Sequence, residues 1–167
     1  MLLRVLAIFI LLPLPVTASA ADRGPSTPAE PKQALEYIHR FQADLLNPDL
    51  TPQIQWVVKW TMEVPDIRLD LCTSFFKLTN AGSKDGQTLF NAMVFAQTAY
   101  LLENSDRQNN KLEELQAGVE GVLHVYEVLL KAHPKDRQPD LDKLIKQRNE
   151  GTLAKIVEKR ATSSCNI

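Results

Sequence analysis

The chain is predicted to be all-α: a single-domain antiparallel bundle or array of about seven helices, tied by one disulfide. Three observations predict it. Apolar residues recur at three- and four-residue spacing from Lys32 onward, the period of amphipathic helices. Nowhere do several runs alternate strictly between apolar and polar residues, so no sheet is indicated. The breaks between periodic segments are short, which favours helices packed against their sequence neighbours.

The first twenty residues stand apart. Arg4 precedes an apolar run over 5–14, and Ala18-Ser19-Ala20 follows, the layout of a secretory signal peptide with its cleavage site. That run is too short to span a bilayer as a stable anchor, and no other segment is apolar enough. The protein is therefore expected to be exported, periplasmic or secreted, with no membrane span after signal removal. Residues 21–31 hold three prolines and no hydrophobic period, and are predicted to be a flexible mature N-terminus. Residues 32–167 are the helical domain.

The first helix is predicted over 32–46, with Leu35, Ile38, Leu45 and Leu46 as its apolar positions. Thr51 suits an N-cap and Pro52 a first helical residue for a second helix over 52–63. Val64-Pro65 ends it, because a residue before proline is pushed out of the α region. A third helix over 66–79 carries apolar groups on two sides, among them Ile67, Leu71, Cys72 and Phe75, and so belongs at the centre of the domain. After the glycine-rich loop "NAGSKDGQT", a fourth helix covers 86–103. Asn110 and Glu113 form a capping-box start for the fifth, which His133-Pro134 stops. A sixth helix over 139–150 ends at Gly151, and a seventh covers 152–161.

The fifth helix poses a question, because Gly118 and Gly121 sit in its middle and each costs roughly 1 kcal/mol relative to alanine. Projected at 100° per residue, its bulky residues fill one face, while Ala117, Gly118, Gly121, Val125, Val128 and Ala132 form a stripe about 130° away. The fourth helix has its own small stripe, Ala92, Ala96 and Ala99. A turn near residues 106–107 sets Ala96 opposite Ala117 and Ala92 opposite Gly121. The expectation is a close helix–helix approach; the competing reading is a groove kept open for a ligand or partner helix.

Composition limits the function. Without residues 1–20 the chain carries 18 basic and 20 acidic residues, so there is no basic excess for nucleic acid. Cys72 and Cys165, in an oxidising compartment, predict one disulfide, worth roughly 4–5 kcal/mol in the chain-entropy model. Free buried thiols and pairing between chains are the alternatives. Two cysteines are too few for structural zinc, none of the three histidines sits in a metal motif, and no metal or cofactor is expected.

No catalytic motif is recognisable. His124 has Glu120 and Glu127 on its helix face, which reads as a solvated face with ordinary charge pairs or as an acid/base pair. Asp66 and Asp70 read as acids near a helix start or as paired carboxylates. Ser83 lacks the surroundings of a nucleophile elbow. Trp56 and Trp60 share one helix face, opposite Ile54, Val57 and Val58. They are either core or an anchor for a protein partner or aromatic ligand.

Val122, Tyr126, Leu129 and Pro134 fall at the spacing of the second helix of a tetratricopeptide repeat. Asp106, Asn110 and Glu113 break the pattern in the preceding helix and no second copy appears, so no family is assigned. In layout the chain resembles small periplasmic immunity proteins, which block toxins by binding them. The leading expectation is an exported non-catalytic protein-binding module, an inhibitor or immunity-type factor. The alternatives are a periplasmic small-molecule binder, and a hydrolase assembled from dispersed carboxylates and His124.

Overall fold

In a computed structural model, described over residues 23–79, 84–107, 109–165 and 167, the protein is built from helices, with no strand among the described residues. The predicted signal peptide and most of the loop around Ser83 lie outside the described residues. Among the described residues six helices exceed ten residues: α1 (Glu30–Ala43), α2 (Thr51–Glu63), α4 (Gly86–Glu103), α5 (Lys111–Ala132), α6 (Pro139–Asn149) and α7 (Leu153–Ser164). Between α2 and α4 stands α3 (Thr73–Phe76), a single turn continued by a 3-10 turn over Lys77–Thr79.

Local chemistry explains the helix ends. Thr51 is the first residue of α2 and not its cap; its hydroxyl donates to the carbonyl of Pro48, the first residue of the preceding 3-10 turn. Asn110 caps α5, its side chain accepting from the Glu113 N–H at 3.2 Å. Gly151 follows α6 at φ +69°, with its N–H on Arg148 O and the Thr152 N–H on Gln147 O. That pair of bonds is a Schellman ending, which needs a left-handed residue at this position. Residues 23–29 are held in place: Ser26 donates twice to the Asp66 carboxylate, and Arg23 pairs with Glu30 and Glu63.

The predicted third helix over 66–79 is not there. Residues 67–72 run without helical hydrogen bonding, and only the last part turns. The backbone groups of Asp70 are claimed by tertiary partners instead. Asp70 N–H donates to Glu114 on α5 at 2.9 Å, and Asp70 C=O accepts from Gln97 on α4 at 3.3 Å. Cys72 meets Cys165 at the end of α7 in a disulfide with a Cα–Cα distance of 5.5 Å. Partners outside the segment thus replace the internal bonds a helix would offer.

The central position belongs to α4, whose residues from Leu89 to Leu101 are almost all buried. A helix apolar on every side is a core element. Its buried polar groups find local partners: Thr98 donates to Val94 O, and Asn91 accepts from Gln87. The main core joins α4 and α5 to Ile38 and Phe41 of α1, Leu141 and Leu144 of α6, and Val157 of α7. A second, smaller cluster gathers Ala34, Trp60, Val64, Ile67 and Leu101. No helix among the described residues is long and apolar enough to cross a membrane.

Candidate functional site

The α4–α5 contact runs in opposite sequence order, Tyr100 to Glu113 at one level and Ala92 to Gly121 at another. A Cβ added at Gly121 would lie 2.5 Å from the Ala96 methyl and 2.9 Å from the Ala92 carbonyl oxygen, so the two backbones nearly touch there. Gly118 admits side chains instead: its added Cβ would meet Gln97 Cγ at 2.9 Å and Met93 Cγ at 3.3 Å.

Beside this contact lies a cleft of about 530 Å³, bounded by α1, α4 and α5 and by Arg148 of α6. Its floor is Ala92, Ala96, Ala99, Ala117 and Gly121, with Phe95 and Val125. The rim is polar. His39 of α1 donates to Glu103 of α4 at 3.2 Å. His124 of α5 donates through Nε2 to the Gln42 carbonyl at 3.4 Å, serving a carbonyl in the last turn of α1 that has no helical partner. Arg148 sits 2.6 Å from Glu127 but 3.8 Å from Glu120. Burial pushes the Glu120 carboxyl up, Arg148 pulls it down, and Glu127 pushes it up again.

A second depression of about 320 Å³ adjoins the cleft, sharing Tyr100, Ala117 and Glu120 and reaching Leu153 and Val157 of α7. Here Tyr100 donates to Glu113 at 2.6 Å. Burial, and then that bond, push the tyrosine up to about 12, and the same bond holds Glu113 below the usual carboxylate range. At neutral pH the pair is therefore a hydroxyl donor on a carboxylate, with no base strength in the tyrosine.

Trp60 is 1% exposed, so it offers no surface to a partner, and Trp56 is half-buried. The two rings stack at 5.8 Å, with Tyr37 edge-on to Trp56. Of the proposed surface anchor only Trp56 keeps an accessible edge. Asp66 and Asp70 do not form one turn of a helix: Asp66 accepts from Ser26 and Asp70 pairs with Lys111. Glu120 and Glu127 share Arg148, and the hydrogen bond of His124 goes to a backbone carbonyl, so these side chains form no acid/base pair. Among the described residues no three His, Cys, Asp or Glu converge as a metal site.

The rim residues His39, Tyr100, Glu103 and Arg148 had no signal in the sequence, because they come from three helices spread over more than a hundred residues of chain. Neither the family models nor the curated proteins nor the solved structures contain a match to this chain.

Proposed function

We propose that this chain is an exported, non-catalytic binding protein, an antiparallel helical array that takes a small molecule in the α1–α4–α5 cleft. The cleft itself carries the reading. Its volume of about 530 Å³ falls in the range of small-ligand sites, and an apolar floor under a few polar rim groups is their usual composition. Burial of Trp60 shifts weight from a tryptophan-anchored protein surface to this cleft. The disulfide and the N-terminal signal pattern are compatible with export.

Ala117 offers the test, since it lines the cleft and is only partly buried. Native mass spectrometry of protein purified from an exporting host should show a bound small molecule that Ala117→Trp removes. The substitution should move the melting temperature by no more than about 2 °C, as for other surface changes. A stoichiometric protein partner whose binding survives Ala117→Trp would overturn the reading.

A further inference from the structure

Two buried polar side chains meet at Asp70. Glu114 of α5 is 1% exposed and Gln97 of α4 is fully buried. Glu114 Oε1 accepts the Asp70 N–H, and Gln97 Nε2 donates to the Asp70 carbonyl, so a carboxyl and an amide flank the two polar atoms of one residue. Gln97 reaches this place by lying across Gly118, one turn along α5 from Glu114 and on the same face. Its other atom, Oε1, is buried and receives no hydrogen bond from any described residue. An unsatisfied buried carbonyl is costly, so a donor there would be strongly favoured.

We propose that Glu114 carries a proton in the folded protein and donates it to Gln97 Oε1, closing a clasp around Asp70 that opens when the proton is lost. Protonated, Glu114 is donor and acceptor at once: one oxygen keeps the Asp70 N–H while the hydroxyl satisfies Gln97. Ionised, it can only accept, and the buried Gln97 Oε1 is left without a donor. The charges around it are few. Lys111, on its own helix, is engaged with the Asp70 carboxylate at 3.1 Å, and Asp70 itself is an acid. From α4 the neighbour is neutral Gln97. At the end of α7, uncharged Ser164 and Cys165 border the same depression as Asp70 and Lys111, while Arg160 is held over the Phe75 ring. Burial first, and the Asp70 charge in addition, push the Glu114 carboxyl up to about 7, against its bond to Asp70 and the pull of Lys111. The clasp therefore opens near neutrality. What it releases is the 67–72 segment, which carries Cys72 and hence one end of the disulfide.

Carboxyl-carbon NMR of the oxidised protein, followed with amide exchange at Asp70, tests this. The Glu114 carboxyl should titrate near 7, and Asp70 protection should fall roughly tenfold per pH unit above that midpoint. Glu114→Gln, whose amide supplies the same donor and acceptor permanently, should keep Asp70 protected at every pH from 5 to 9. Gln97→Met removes the acceptor of the proton and should lower the Glu114 midpoint by about one unit or more. A Glu114 midpoint at or below the ordinary value of 4.5 would overturn the proposal. So would a midpoint that Gln97→Met leaves unchanged, since Gln97 would then not be receiving the proton.

Discussion

Replacing Gly121 by alanine sets two known effects against each other. Helix propensity favours the change by about 1 kcal/mol. Packing opposes it. The new methyl would stand 2.5 Å from the Ala96 methyl and 2.9 Å from the Ala92 carbonyl oxygen, where ordinary contacts begin at 3.4 Å. Neither neighbour can rotate away, since one is a Cβ and the other is backbone. The helices must part, and each neighbouring side chain in the seam then loses dispersion contacts. Overpacking of this kind costs about 1–3 kcal/mol, and the rigid neighbours place Gly121→Ala at the upper end. The net expectation is a loss of about 1–2 kcal/mol, or about 3–8 °C in Tm, with Gly121→Leu worse. Urea unfolding with an unchanged m-value is the assay. Gly118→Ala is the internal control: its nearest neighbours are the flexible chains of Gln97 and Met93, so packing and propensity should nearly cancel. A gain in stability from Gly121→Ala, or a larger loss at Gly118 than at Gly121, would refute the reasoning.

Trp60→Ala should cost about 3–5 kcal/mol in urea unfolding as a lost core residue, and Trp56→Ala clearly less. If both substitutions leave stability unchanged, the rings are not packed as described. Intact mass under non-reducing conditions should fall short of the dithiol mass by one pair of hydrogens, and reduction should lower stability by up to roughly 4–5 kcal/mol. Because the Glu114 carboxyl is raised from 4.5 to about 7, its contribution is full below pH 4.5 and is lost as pH rises through 7. The unfolding free energy from urea titration should therefore decline across that window, by about 3 kcal/mol from this group; a flat or rising profile would contradict it.

Six long helices were legible because their signals are local. Asn110 and Glu113 start α5, Gly151 ends α6, and the apolar period fills what lies between. The segment after Pro65 shows where local signals fail. Ile67, Leu71 and Phe75 keep helical spacing, and Ile67 and Phe75 are buried as the pattern suggests. Yet Gln97, Glu114, Ser26 and Cys165 take up the segment's polar groups and its cysteine from four other parts of the chain. Periodicity reports burial. It does not report which partner satisfies the backbone. For the same reason α4, with its scattered Asn91, Gln97 and Thr98, did not read as the central helix: Asn91 and Thr98 are accommodated by bonds within the helix, while the Gln97 amide group finds its acceptor only in Asp70, which the fold supplies. The cleft was half visible: its small-residue floor follows from helix geometry, while its rim is assembled by tertiary contact.

Close packing and an open groove along the small-residue stripe follow from one cause. When two helices approach backbone to backbone, as at Gly121, bulky side chains cannot stay in the seam and must project to its sides. On one side, Val119, Val122 and Leu123 of α5 meet Leu89 and Met93 of α4 in the core. On the other, the floor is mostly Ala92, Ala96, Ala99 and Ala117, which are too short to fill the space beneath α1. His39, Glu103, Glu120 and Arg148 wall that space without filling it, because their polar ends are drawn to one another or, for Arg148, to Glu127. Enlarging a floor residue and enlarging the seam residue should therefore act differently. Ala117→Trp fills the cleft and leaves the seam intact, whereas Gly121→Ala forces the seam and leaves the cleft empty. Loss of binding and loss of stability should separate between these two substitutions, although both lie on one stripe of one helix.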